Sequence, residues 1–262
     1  MSPAASVAGS VTVIGLGPGD PAQLTGEAVA ALESVEVLYG YGPYLARVPE
    51  RTGQRRRASD NREEIGRARA ALEEAAAGAR VGVVSAGDPG VFGMAAAVCE
   101  ALEAAPDNFS ELPVKVAPGV TAMLALSARV GAPLGHDFCA VSLSDNLKPW
   151  QTIEGRLRAV ASAGFVIALY NPTSRHRPWQ LARALTILGE YLPATTPVVV
   201  GRAVGRVDES VLVTRLSELR AESADMSTCI IVGTRETRVL RTGLQPLVYT
   251  PRSMPGSSAA TT

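Results

Sequence analysis

Asp88 stands in Ser85-Ala-Gly-Asp-Pro-Gly-Val-Phe-Gly93, a glycine-rich turn that follows the β-branched run Val81-Gly-Val-Val84. A carboxylate just past the C-terminal end of a strand sits where open α/β sheets bind ligands, and there it can meet ligand hydroxyls or a cation. It can equally cap the helix that follows, and this segment alone weights the two readings evenly. Thr121, in Ala117-Pro-Gly-Val-Thr-Ala122 behind Val114-Lys-Val116, has the same choice between helix cap and hydroxyl donor. A third turn, Gly15-Leu-Gly-Pro-Gly-Asp20, follows Val11-Thr-Val-Ile14. Strand, glycine turn, helix is the arrangement that lets bare backbone approach a nucleotide-like ligand, and three copies predict a ligand cradle.

Spacing narrows the ligand. Gly15, Gly17 and Gly19 form G-x-G-x-G with Pro18 inside, not the G-x-G-x-x-G of a dinucleotide fold, and proline removes a donor. Glu33 and Glu36 flank the next strand instead of ending it, so no ribose-binding acid is in place. No Gly-Lys-Ser/Thr follows any turn, which excludes a P-loop. Lys plus Arg equals Asp plus Glu at 25 each among 262 residues, a balance that argues against nucleic acid or a membrane surface as the main partner. No apolar run reaches the roughly 18 residues of a membrane span. The N-terminus lacks the basic and apolar regions of a signal peptide, so a cytoplasmic location is expected. Cys99, Cys139 and Cys229 lie in apolar segments and read as buried, reduced thiols; two histidines, His136 and His176, cannot build a metal site alone, and no metal is expected.

The elements that must carry these turns alternate. Strands are predicted near 11–15, 35–38, 81–84 and 114–117, with helices near 25–33, 61–77 and 93–103, which gives a mainly parallel sheet covered on both faces. After Pro118 a second series begins: helix over 121–129, strands over 138–143 and 164–170, helix over 177–188, then strands at 197–201, 210–213 and 228–233. The last strands are too close in sequence for helical crossovers, so this sheet is expected to be mixed. The fold class is therefore α/β in two domains: a frayed segment 1–10, an N-terminal domain 11–118, a C-terminal domain 119–245 and a flexible tail 246–262.

The strings GLGPGD, SAGDPGVFGMA, APGVTA, LYNPTSRHR and DMSTCIIVG, in that order between residues 11 and 240, resemble the tetrapyrrole (corrin and porphyrin) methyltransferase family. Within it, GDPGVFGMA, LSDNLKPW and YNPTSRHR are most similar to the enzymes that methylate C-17 of precorrin-3B and contract the ring in cobalamin synthesis. Another corrin carbon or uroporphyrinogen III is the alternative substrate, and a non-catalytic dinucleotide-binding module the alternative class. The resemblance implies S-adenosyl-L-methionine bound in a cleft between two domains, release of S-adenosyl-L-homocysteine, a tetrapyrrole substrate and a homodimer. It places Pro18, Ala86, Gly87, Asp88, Val91, Phe92, Thr121, Ala122, Tyr170, Asn171, Arg202, Ala203, Val204 and Thr228 against the cofactor. Ring contraction needs proton transfer, for which Ser144 and Asp145 are the candidates, with His136, Tyr41 and Tyr44 nearby in sequence or motif. A substrate rich in carboxylates calls for cations, and Arg175, Arg177 and Arg206 are the expected partners. The run Arg55-Arg56-Arg57 reads as an exposed loop, and Trp150 and Trp179 as packing residues.

Overall fold

Val11 and Val13 pack on one side of the first strand and Ile14 on the other, the period of two expected of a strand buried on both faces. The computed structural model describes residues 9–243 and 245–253. The expectations for 1–8 and 254–262 lie outside the described residues. Internal contacts divide the chain into two units, Met1–Thr121 and Ala122–Thr262.

The first unit runs β1 (Ser10–Gly15), α1 (Gly26–Ser34), β2 (Val37–Tyr41), α2 (Gly42–Leu45), β3 (Arg55–Ser59), α3 (Glu64–Ala76), β4 (Arg80–Ser85), α4 (Met94–Glu103), α5 (Pro106–Phe109) and β5 (Val114–Ala117). Its five strands form one sheet in the order β3-β2-β4-β1-β5, and every pairing is parallel. Helices α3 and α4 close one face over Val11, Val13, Val81 and Val83 through Ala68, Leu72, Ala97 and Val98. On the other face Ala28, Leu45 and Val48 cover Ile14, Leu38 and Val84. Complete burial of a side chain such as Leu72 contributes about 1.5–3 kcal/mol. The connection leaving β1 passes β4 to reach β2, and that leaving β4 passes β1 to reach β5, so these two neighbouring strands send their connections in opposite directions, α1 over one face of the sheet and α4 over the other.

The arginine run 55–57 forms β3, not a loop. It is the edge strand: Arg56 donates to the carbonyls of Leu45, Val48 and Pro49, while Arg55 and Arg57 pair with Glu74. Long cations on an edge strand keep it from pairing with other chains.

The second unit comprises α6 (Ala122–Val130), β6 (Gly131–Ala132), β7 (Phe138–Ser142), α7 (Trp150–Ser162), β8 (Val166–Tyr170), α8 (Gln180–Gly189), β9 (Pro197–Arg202), β10 (Ser210–Arg215), β11 (Thr228–Val232), β12 (Arg238–Thr242) and β13 (Gln245–Tyr249). Its main sheet, β10-β9-β11-β8-β7, is mixed: β7 and β8 are parallel and the other pairings antiparallel. Ile153, Leu157 and Ala161 of α7 and Leu181, Ala184, Ile187 and Leu188 of α8 form its core with Ile167, Leu169, Val198 and Ile230. Residues 246–249, expected within a flexible tail, belong instead to β13, which pairs with β12 and β6 in a small third sheet. Thr250 fixes that sheet by donating to the Pro133 carbonyl at 2.7 Å. Residue 10, expected to be frayed, already pairs with Arg80.

Candidate functional site

Three glycine turns leave the C-terminal ends of β4, β1 and β5, which are adjacent in the sheet, and so they meet. Gly17 and Gly87 exchange backbone hydrogen bonds at 3.2 and 2.9 Å. Asp88 joins the third turn: its Oδ1 accepts from the Gly90 amide at 2.8 Å and its Oδ2 from the Gly119 amide at 3.0 Å. A Cβ on Gly119 would lie 2.2 Å from the Gly87 carbonyl oxygen, and one on Gly15 would lie 2.6 Å from the Gly119 nitrogen. These glycines bring the loops together by letting their backbones touch. Asp88 does not cap α4 either, because Gly93 holds the cap position and Ser85 Oγ accepts from the Met94 amide.

Two residues without a glycine signal complete this crest. Arg47 donates to the carbonyls of Leu16 and Gly17 at 3.1 and 2.9 Å, and the Thr25 hydroxyl donates to the Pro118 carbonyl at 2.9 Å. Thr25 also caps α1, which its position before the helix would have indicated. Nothing in the sequence marks Arg47. Around the crest Pro18, Ala86, Asp88 and Val91 are half-buried, Phe92 is exposed and Thr121 is buried.

In the second unit, β11 runs antiparallel to β8 and β9, so its first residue sits at their C-terminal edge; Thr228 is the register partner of Arg202. This edge gathers Ser142, Tyr170, Asn171, Arg202, Ala203 and Thr228. The Tyr170 hydroxyl accepts from the Met123 amide at 2.9 Å, satisfying one of the orphan donors in the first turn of α6. Asn171 donates to Ser142 Oγ at 3.0 Å, and its carbonyl accepts from Arg177 at 3.1 Å. Arg202 spans Asp208 and Asp225 at 2.9 and 2.8 Å. Burial works against the charge of Asp225, but the Ser227 amide, the Thr228 hydroxyl and Arg202 outweigh it and hold that carboxyl below the usual range. Ser142, Asp208 and Asp225 carry these arrangements and were not singled out in the sequence.

The remaining candidates fall into different settings. Arg177 is only 6% exposed and braces the Asn171 loop, with Met226 Sδ at 3.4 Å from its other terminal nitrogen. Arg175 and Arg206 are exposed, and Val204 is buried beside Ala203. Asp145 accepts from the buried Gln180 amide at 3.1 and 3.3 Å, and the Ser144 amide donates to Ser142 Oγ. Trp150 and Trp179 stack edge to face at 4.9 Å.

Backbone strain singles out the same loops. Among the described residues four non-glycines adopt left-handed backbone, and three of them are Phe92, Asn171 and Ala203, at φ of 54°, 51° and 52°. Such conformations cost about 1–3 kcal/mol each and persist where the surroundings over-determine them, a pattern concentrated at ligand sites. Among the described residues no group of three His, Cys, Asp or Glu side chains is placed to hold a metal ion, and no helix is long and apolar enough to cross a membrane.

Residues 10–220 match the family model of the tetrapyrrole (corrin/porphyrin) methylases. The chain is 56% identical to a precorrin-3B C(17)-methyltransferase of Sinorhizobium sp over 95% of its own length and 99% of that protein. It is 42% identical to a probable cobalt-factor III C(17)-methyltransferase of Salmonella typhimurium, over 92% and 98% of the two chains. It is 45% identical to the cobalamin biosynthesis protein CobIJ of Mycobacterium tuberculosis, of which it spans 51%. A crystal structure of the methyltransferase CobJ superposes with a TM-score of 0.88 at 48% identity, covering 93% of this chain and all of that one. A uroporphyrin-III C-methyltransferase of Thermus thermophilus, complexed with S-adenosyl homocysteine, has a TM-score of 0.64 at 26% identity, over 86% of this chain and 97% of its own. The parallel sheet with its knotted loops and the mixed sheet with its strained edge are thus those of a known enzyme family, and the chain belongs to the tetrapyrrole (corrin/porphyrin) methylases.

Proposed function

We propose that this chain methylates C-17 of precorrin-3B with S-adenosylmethionine, contracts the macrocycle to precorrin-4 and releases S-adenosylhomocysteine, a step of cobalamin synthesis. The observation that carries this reading is the 56% identity to a C(17)-methyltransferase across nearly the full length of both proteins. The crest of the first unit fits the cofactor by its chemistry. It offers a rigid backbone edge, a carboxylate for a cation and the apolar surfaces of Pro18, Val91 and Phe92. When bound, S-adenosylmethionine supplies an electrophilic methyl group on a sulfonium.

Each residue then has a physical task. Asp88, Ala86 and Gly87 fix the cationic end of the ligand, while Val91 and Phe92 keep water from a centre that loses its charge on transfer. Thr121 and Ala122, with Tyr170, Asn171, Arg202, Ala203, Val204 and Thr228, are proposed as further cofactor contacts on the family resemblance. In-line positioning of the nucleophilic carbon supplies most of the rate. Asp145, oriented by Gln180, is the proposed proton carrier in ring contraction, with Ser144 beside it. Arg175 and Arg206 remain proposed partners for substrate carboxylates, whereas Arg177 serves by holding Asn171. The assembly is proposed to be a homodimer.

Labelled S-adenosylmethionine offered with precorrin-3B, with its cobalt-loaded counterpart and with uroporphyrinogen III tests the assignment. Label is expected in ring-contracted product from precorrin-3B. Label entering only uroporphyrinogen III, or no substrate at all, refutes it.

A further inference from the structure

A cavity of about 370 Å³ opens in the first unit between β3 and α3, lined by Tyr39, Arg57, Ser59, Glu63 and Arg67 together with small residues. It lies on the same edge of the parallel sheet as the glycine crest, because Ser59 ends β3 as Ser85 ends β4. Arg67 connects the two. Its Nη1 reaches Met94 Sδ at 3.3 Å, and Met94 directly follows Gly93 of the second glycine turn.

The charge of Arg67 is the anomaly. The residue is 5% exposed, and its three hydrogen-bond acceptors are all neutral: Ser59 Oγ at 2.6 Å, the Asp60 carbonyl at 2.7 Å and Met94 Sδ. Among the described residues no carboxylate forms an ion pair with it. Buried guanidinium groups are ordinarily matched by an anion, since an uncompensated charge in a low-dielectric site is costly. Burial disfavours its charged form and outweighs the opposing pull of Glu64, Glu63 and Tyr44. A second cation lines the same space: Arg57 sits on the edge strand beside the Tyr39 hydroxyl, and its one carboxylate contact is a long one, 3.8 Å to Glu74. Glu74 is already engaged by the Tyr39 hydroxyl at 2.6 Å and by Arg55. Within the lining two arginines face one carboxylate, that of Glu63, which accepts from the Asp60 amide at 2.8 Å.

We propose that this cavity is a carboxylate site, in which Arg67 and Arg57 receive one acidic side arm of the tetrapyrrole while the macrocycle is methylated at the crest. This rests on the function proposed above. The same chemistry suits a free small carboxylate, and the test separates the two sources. Arg67 is also a clamp between the β3–α3 turn and α4, so Arg57→Gln, whose half-exposed side chain makes only a long ion pair, is the primary variant and Arg67→Met the second.

Steady-state kinetics with precorrin-3B, and calorimetry with glutarate as a free dicarboxylate, are measured on the full chain. The expected result is a KM for precorrin-3B raised about tenfold in Arg57→Gln and more in Arg67→Met. The kcat of Arg57→Gln and its affinity for S-adenosylmethionine stay within about twofold of wild type. A merely structural role predicts a lower Tm with KM unchanged. Glutarate binding lost in Arg57→Gln while KM stays put assigns the cavity to a free carboxylate. Unchanged KM and unchanged glutarate binding in Arg57→Gln overturn the proposal. If wild type transfers no methyl to precorrin-3B, the functional reading fails, and the glutarate arm alone decides the cavity.

Discussion

Gly119→Ala examines whether the three turns are knotted by contact between their backbones. The added Cβ would stand 2.2 Å from the Gly87 carbonyl oxygen and 2.9 Å from Gly15 Cα. Both are main-chain atoms on strand ends, so no side-chain rotation relieves the overlap. Restoring even a 3.0 Å contact moves the third turn by about 0.8 Å. That displacement takes the bond from the Gly119 amide to Asp88 Oδ2 from 3.0 Å toward about 3.8 Å, beyond hydrogen-bond range. A bond to a charged acceptor contributes about 1.5–3 kcal/mol, and the neighbouring Thr25–Pro118 bond about 0.5–1.5 kcal/mol. Partial exposure of Asp88 trims the first figure, which leaves a loss of about 3 kcal/mol and a Tm lower by about 6–12 °C.

Urea unfolding followed by far-UV circular dichroism measures it. Both tryptophans, Trp150 and Trp179, lie in the second unit, so their fluorescence gives an internal reference for a defect confined to the first. Affinity for S-adenosylmethionine should fall at least tenfold. Gly26→Ala is the control, because a Cβ there meets nothing within 4 Å, and its stability should stay within about 0.5 kcal/mol of wild type. A Gly119→Ala protein with wild-type unfolding and wild-type cofactor affinity refutes the account of the crest.

Other expectations follow from single groups. Asp88→Asn keeps the shape of the side chain but turns an amino group toward one of its two amide donors; calorimetry should show S-adenosylmethionine affinity down about tenfold, and unchanged affinity removes Asp88 from the site. Asp145→Asn and Gln180→Leu should both slow formation of contracted product while cofactor affinity holds, and wild-type turnover in both excludes the pair from the chemistry. Arg129 holds the Glu209 carboxyl below its ordinary range. Such a depressed carboxyl contributes stability that is present above the unfolded value of about 4.3 and is lost as pH falls through the lower folded value, so the urea midpoints of wild type and Arg129→Ala should differ at pH 7 and converge in acid. The pair is partly exposed, which limits the difference to about 1 kcal/mol. Cys99 is exposed, contrary to the reading of three buried thiols, while burial pushes Cys139 up to about 11 and Cys229 up to about 12. A disulfide reagent at pH 8 should therefore modify one thiol quickly, and modification of Cys229 in the folded protein would contradict its burial.

The sequence made the parallel sheet legible because β1, β4 and β5 are runs rich in valine, each ended by a glycine turn, a pattern that survives without any tertiary information. The elements it hid are those whose residues are chosen by neighbours. Arg-Arg-Arg-Ala-Ser does not look like a strand, and becomes one because β2 offers a free edge and because α2 and Glu74 of α3 supply partners for the guanidinium groups. The sequence predicts no element over 144–163, yet α7 forms there, since Ile153, Leu157 and Ala161 fall one turn apart and find the apolar face of the mixed sheet. The exposed β12 has no buried stripe to mark it as a strand, and most of β13 falls within the stretch expected as a tail, where Val248 is its one buried residue.

Site residues divide along the same line. Asp88, Tyr170, Asn171 and Thr228 are readable as types, because each carries a polar group at a strand end; what they do was not readable, because their partners come from other elements. Arg177 shows the limit. As a string, Ser-Arg-His-Arg offers two equivalent cations, but the fold exposes Arg175 and turns Arg177 inward against the Asn171 carbonyl. The strain at Phe92, Asn171 and Ala203 carries the argument one step further. Phe and Ala have no preference for left-handed backbone, so the path of the loop and not local propensity sets their conformation. In each unit that path is tied to another element, Asp88 to Gly119 of the third turn in one and Asn171 to Ser142 at the end of β7 in the other. A ligand site built this way is rigid before the ligand arrives, which is what catalysis by positioning requires.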